Sequence, residues 1–241
     1  MTDGLMREVE GAAFAASLYE AAKPVWEAGL RQPFLAELAE GTLDRERFAF
    51  YLKQDYLYLD DYAKVHALAF AKCDDAQIGE RLANTIMNVA REKAGMHDYY
   101  RRAYGITPEE LATARQSAFA RAYTTNILTT AYTKPLVDIL IAVLPCAWVY
   151  ADYGTRLSAE YGDRLEGNPY RQWIETYRTD EFWQSSVWLI EALERLTEGM
   201  DESRLAELRH EFVVGVEHEY MFWSSAYDLQ QSWRPEWNAL A

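Results

Sequence analysis

The chain has 241 residues, half of them apolar, with only 12 Gly and 7 Pro, so it can bury a sizeable core and is not a disordered polymer. Lys and Arg number 24 against 38 Asp and Glu, and the formal charge of -14 argues against a surface built to grip nucleic-acid phosphates or an anionic membrane. Two cysteines, Cys73 and Cys146, are too few and too far apart for a disulfide framework or a Cys-rich zinc site.

Apolar residues recur at three- and four-residue spacings almost throughout, and period-two β-branched runs are missing, which predicts an all-α protein. No linker, repeat or compositional break divides it. The expectation is one helical domain over residues 1–241, with its core over about residues 10–230 and a short C-terminal tail. The opening Met1–Glu8 lacks the basic stretch and apolar run of a secretory signal, and a reducing cytoplasm is the simplest compartment.

Helices are expected over residues 9–40 with a break near Pro33, then 44–72, 75–104, 108–131, 134–160, 169–178, 180–198 and 202–231. In the 44–72 helix, Phe48, Tyr51, Leu52, Tyr58, Leu59, Tyr62 and Val65 share one face, and Asp55 interrupts it. A core-facing carboxylate is costly unless paired or hydrogen-bonded. Farther on, Thr107-Pro108-Glu109-Glu110 reads as an N-cap, a proline at the first helical position and two acids on the positive end of the helix dipole. Gly41, Gly105, Gly162 and Gly199 fall at expected helix ends.

The 134–160 helix holds the longest apolar stretch, Ile139–Ala151, which is too short to span a bilayer and reads as a buried core segment. Its stripe runs through Ile139, Ala142, Val143, Val149, Tyr150 and Tyr153, with the Cys146 thiol as the odd member. Pro145 removes one helical hydrogen bond just before that thiol. In the 202–231 helix the stripe is Leu208, Phe212, Gly215, Val216, Phe222, Trp223 and Ala226, and Glu219 occupies its centre. The tail beyond Gln231 carries Trp233 and Trp237, which can pack on the body or on another subunit.

Each odd residue has a plain explanation when taken singly. Asp55 or Glu219 alone is a buried acid satisfied by Arg, Tyr or backbone; Cys146 alone is a core thiol; aromatic stripes are usually core. Two acids and a thiol, all mid-stripe and each close to Tyr or Phe, point instead to a pocket for a flat, polar heterocycle. Tyrosines offer faces and hydroxyls, a buried acid exchanges protons with ring nitrogens, and the thiol is a nucleophile.

Rival chemistries fit less well. A di-iron bundle needs Glu-x-x-His on two helices, and only Glu207–His210 has that spacing, because Ala63, Ala94 and Gly215 precede His66, His97 and His218. No histidine sits mid-stripe as a haem ligand would, and no metal or cofactor is expected. A Gly-rich phosphate loop and a serine nucleophile elbow are both missing from the sequence.

The segments carrying the odd residues have a family likeness. Phe50–Leu59 followed by Tyr62-Ala63-Lys64 resembles the signature helix of the thiaminase II (TenA) family, and Leu144-Pro145-Cys146-Ala147-Trp148-Val149-Tyr150 resembles its nucleophile segment. Trp173–Tyr177 and Glu217–Trp223 are similar to two further blocks, in the same order. The resemblance covers about residues 10–230. It implies a haem-oxygenase-like helical bundle without haem, usually a homotetramer, that hydrolyses an aminopyrimidine or thiamin in thiamin salvage. By the same resemblance Cys146 is the nucleophile and Glu219 the acid/base. Asp55 would hold the pyrimidine amino group, and Tyr58, Tyr123, Tyr150 and Tyr177 would form the aromatic pocket. Ala147 departs from the aromatic residue common after the cysteine, while Cys146 itself places the chain on the cysteine-bearing branch. A redox enzyme of the same fold and a non-catalytic pyrimidine-binding or regulatory protein remain as alternatives.

Overall fold

The computed structural model describes residues 11–240. Among these the regular structure is all helical and there is no strand. The helices are α1 (Ala13–Leu30), α2 (Pro33–Glu40), α3 (Arg45–Ala71), α4 (Ala76–Glu92), α5 (Asp98–Tyr104), α6 (Pro108–Thr113), α7 (Ala118–Thr133), α8 (Leu136–Tyr161), α9 (Arg171–Tyr177), α10 (Asp180–Thr197) and α11 (Glu202–Tyr227). The expected start of the first helix at residue 9, and the opening Met1–Glu8, lie outside the described residues.

The boundaries follow local chemistry. Side chains of Asp44, Asp75, Ser117 and Thr179 accept hydrogen bonds from the first free backbone N–H groups of α3, α4, α7 and α10. Thr107 and Glu110 complete a reciprocal capping box on α6, with Pro108 at its first turn. Gly41 ends α2 at φ 77° and Gly105 ends α5 at φ 69°, both in left-handed backbone that a Cβ disfavours.

Three expected helices differ in detail. The 75–104 helix is interrupted by a π-helical turn, Lys93–His97, between α4 and α5. The 108–131 helix is two helices, because residues 114–117 are held extended by α3: Gln54 Oε1 accepts from the Ser117 N–H at 2.7 Å and Gln54 Nε2 donates to the Arg115 carbonyl at 3.2 Å. The 202–231 helix ends at Tyr227, followed by Leu229 at φ 51°.

The chain divides into two compact units, each built from separate sequence segments. Unit one takes the chain up to Thr42 together with Val137–Tyr220, and unit two takes Leu43–Leu136 together with the chain from Met221. Residues of α11 belong to both.

In unit one α8 is the central helix. It is long and apolar enough to cross a membrane by length and composition, but 83% of its apolar window is buried inside the protein, as a core helix is. Two charged anchors hold it. Arg204 donates from α11 to Asp138 at 2.5 Å, and Arg156 donates both terminal nitrogens to Glu27 of α1 at 2.8 and 2.9 Å. Such bidentate pairs fix orientation as well as distance. Trp26 of α1 stacks on Phe212 of α11 and meets Trp148 of α8 edge-on at 5.3 Å.

In unit two α3 packs against α4, α5 and α7. The stripe read from the sequence is buried as expected, including Asp55, and His66 at its edge is 1% exposed. The His66 Nδ1 lies 2.9 Å from the Tyr62 carbonyl, which only accepts, so Nδ1 carries the proton; among the described residues Nε2 has no hydrogen-bond partner. Burial pushes its pKa down to about 4, against a smaller upward pull from the Tyr62 carbonyl. A depressed folded-state value means the unfolded chain binds the proton first, so this group's contribution to stability is complete above about pH 6.5 and is lost as pH falls towards 4. The loss is of order 3 kcal/mol. Urea titrations of the wild type and His66→Leu at several pH values should show the difference between them changing by that amount from pH 7 to pH 4. A constant difference would mean the histidine titrates alike in both states.

The tail packs within unit two. Trp233 meets Phe119 of α7 at 5.1 Å, and the Asn238 side chain accepts from the backbone N–H groups of Gln231 and Ser232. Both tail tryptophans keep large exposed faces.

Candidate active site

The seven residues singled out in the sequence fall into two groups. Cys146, Tyr150, Tyr177 and Glu219 belong to unit one; Asp55, Tyr58 and Tyr123 belong to unit two.

In unit one the approach of α11 to α8 is set by a glycine and a proline. A Cβ built on Gly215 would lie 2.6 Å from Pro145 Cγ, well inside contact distance, so only the hydrogen of glycine allows the two helices this close. Cys146 is the next residue on α8, and Glu219 is one turn beyond Gly215 on α11. The thiol is in no disulfide and is half-buried, whereas Glu219 is 2% exposed. Burial raises the Tyr153 phenol far above its usual range, and the nearby acids Asp152 and Glu219 push it the same way. It therefore stays a neutral donor, giving its proton to the Trp26 carbonyl at 2.5 Å. Its neighbour Asp152 accepts from the Trp26 indole at 2.7 Å; burial raises this carboxyl against the lowering pull of Trp26 and Arg156.

One turn past Cys146, Tyr150 meets Tyr177 of α9 at 4.8 Å and an interplanar angle of 64°. Tyr177 in turn lies 4.7 Å from Trp173 and 4.8 Å from Phe182. A second glycine makes this possible. A Cβ on Gly154 would lie 2.8 Å from the Tyr177 carbonyl carbon, so the end of α9 rests directly on α8.

In unit two Asp55, Tyr58 and Tyr62 follow one another at three- and four-residue steps along α3. Tyr58 lies 5.6 Å from Tyr62 in a stacked arrangement, 5.0 Å from Tyr123 of α7 and 5.9 Å from Phe222. The Gln54 hydrogen bonds at the start of α7 place Tyr123 against this face. Its sequence flanks are poorly marked, yet its ring is 1% exposed and packed on Tyr58.

The residue that sequence reasoning missed is the partner of Asp55. The plain reading of a lone buried acid names Arg, Tyr or backbone, and the structure supplies His97 instead. Its Nε2 lies 3.1 Å from Asp55 Oδ2, as an ion-pair contact rather than a linear hydrogen bond. Burial opposes charge on this imidazole, but the contact with Asp55 and the charges of Asp55 and Glu92 outweigh burial and Lys93, and its pKa is raised. Donor atoms of Asp55, Glu92 and His97 all lie within 4.8 Å of one another, the one such cluster among the described residues with side chains of cation-binding type. At 3.6 residues per turn, side chains five apart sit about 140° away from each other. The π turn Lys93–His97 changes that phase, and heptad-style counting cannot anticipate it.

Unit one holds a half-buried thiol beside a helix bearing a buried acid, and unit two holds a buried carboxylate beside tyrosine rings. These are parts for nucleophilic attack, proton transfer and the grip of an amino-bearing aromatic ring.

Comparison with known proteins gives consistent matches. Residues 19–229 match the TENA/THI-4/PQQC family. The chain is 37% identical over 216 residues to an aminopyrimidine aminohydrolase of Halalkalibacterium halodurans, covering 89% of this chain and 96% of that protein. It is 33% identical to an aminopyrimidine aminohydrolase of Helicobacter pylori, covering 87% and 96% of the two chains. Among solved structures, a TenA family transcription regulator from a Silicibacter species superposes with a TM-score of 0.79 at 31% identity, covering 89% and 96%.

Proposed function

The chain belongs to the TENA/THI-4/PQQC family, and we propose that within it this protein is an aminopyrimidine aminohydrolase. It hydrolyses 4-amino-5-aminomethyl-2-methylpyrimidine, and thiamin itself, to the hydroxymethylpyrimidine used in thiamin salvage. The full-length identity to two proteins named for that activity supports the reading. The observation that carries it is the contact of Gly215 with Pro145, which sets the Glu219 helix against the helix of the half-buried Cys146 thiol.

The roles are assigned as follows. The Cys146 thiolate adds to the electron-poor ring carbon beside the one bearing the methylene, while Glu219 protonates the adjacent ring nitrogen as negative charge builds. The C–N bond to the leaving group breaks, ammonia departs from the aminomethyl substrate or the thiazole from thiamin, and water adds to the exposed methylene. Expulsion of the thiolate restores the aromatic ring, and the net change is substrate plus water to alcohol plus amine. Asp55 accepts from the ring amino group, and Tyr58, Tyr123, Tyr150 and Tyr177 wall the ring. No step calls for a metal or cofactor. The reading includes a cytoplasmic homotetramer; two cysteines that form no disulfide fit a reducing compartment.

A mass-spectrometric time course with the aminomethylpyrimidine and, separately, thiamin tests the assignment. Conversion of the aminomethyl compound to the alcohol, faster than thiamin, is the expected result. Inertness towards both would overturn it. The Silicibacter neighbour is described as a transcription regulator, which is the observation behind a second reading, a non-catalytic pyrimidine-binding regulator. Binding without turnover in the same samples would select that reading.

A further inference from the structure

We propose that His97 is the positioning residue for Asp55: seated on the π turn between α4 and α5, it pins one carboxylate oxygen so that the other faces the ring amino group of a pyrimidine. The proposal rests on the functional reading above and adds to it a residue outside the matched motifs. The contact is specific. His97 Nε2 lies 3.1 Å from Asp55 Oδ2, and the two side chains are 4% and 10% exposed. No linear hydrogen bond to any other group competes for that nitrogen among the described residues, so its contact with Asp55 is an ion pair.

The surroundings commit His97 to this task. Its charged neighbours are Asp55 from α3, Glu92 from the end of α4 and Lys93 from the π turn itself. Lys93 is engaged elsewhere, 2.5 Å from Asp60 and 3.7 Å above the Tyr56 ring. Tyr56 meets the imidazole edge-on at 5.9 Å and limits its rotation. A regular helix through residues 93–97 would turn His97 away from Glu92, and single π turns inside helices are frequent at functional sites. A buried carboxylate with one oxygen held is preorganised, so the ligand does not have to freeze it on binding.

The test is a double-mutant cycle with two kinds of His97 variant. His97→Leu fills the space without a nitrogen, and His97→Gln returns an amide N–H near the Nε2 position; His97→Phe replaces the leucine variant if that chain does not fold. For the aminomethylpyrimidine, His97→Leu is expected to raise KM by about thirtyfold with a smaller change in kcat, and His97→Gln to recover most of the loss. In an Asp55→Asn background the same leucine substitution should cost little more, since its target is gone. An undiminished effect in that background, or glutamine behaving like leucine, overturns the proposal. The same cycle is read by calorimetric binding of 4-amino-5-hydroxymethyl-2-methylpyrimidine, which needs no turnover. A wild type that binds but does not convert refutes the hydrolase reading while the cycle still decides the role of His97, and a wild type that does not bind refutes both.

Discussion

Replacing the Cys146 thiol by the serine hydroxyl is expected to reduce turnover of the aminomethylpyrimidine by at least about a thousandfold while leaving its binding within a few fold. A hydroxyl is far harder to ionise than a thiol, and addition to an electron-poor ring carbon needs the anion. The exchange is close to isosteric at a half-buried position, so little change in stability should accompany it. Single-turnover kinetics and equilibrium binding on the same preparation separate the two effects. A variant within about tenfold of wild type would remove the covalent step and leave Glu219 acting on water directly.

Gly215→Ala should be nearly as damaging although the residue carries no functional group. The added methyl would stand 2.6 Å from Pro145 Cγ, and the closed pyrrolidine ring has no rotamer by which to retreat. The helices must separate or one must bend, at a cost of about 1–3 kcal/mol in stability. Because Cys146 adjoins the proline and Glu219 lies one turn from the glycine, the same displacement moves thiol and acid apart. A shift of about 1 Å in such a pair costs of order a hundredfold in kcat. Thermal unfolding and steady-state kinetics read the two losses independently. Wild-type values in both would mean that the helix approach is not what aligns these groups.

Much of the fold was legible because helices announce themselves by period and by caps. The stripes of α3, α8 and α11 are buried as their spacing predicts, and the interruptions at Asp55, Cys146 and Glu219 stand out against them. What escaped notice depends on phase or on partners remote in sequence. His97 lies mid-stripe on no helix of the sequence pattern, because the π turn resets the count after Glu92. Gln54 reads as an ordinary polar residue, yet it divides the expected 108–131 helix by occupying the backbone of Arg115 and Ser117. Gly215 reads as one more small apolar position, and nothing local to it reveals that its neighbour is a proline seventy residues earlier.

The interleaving of the two units has a consequence for how this protein is made. Unit one is not complete until Tyr220 has been synthesised, and unit two waits for the segment after Met221, which brings Phe222 against Tyr51 and Tyr58. A nascent chain leaving the ribosome at about 5–20 residues per second therefore spends most of its synthesis with neither unit closable. During that interval the apolar stretch of α8 has emerged ahead of α11, the helix that will pack on it. Demand for chaperone protection should accordingly peak late in translation, and shortening the chain by its last helix should give aggregation instead of a smaller folded protein.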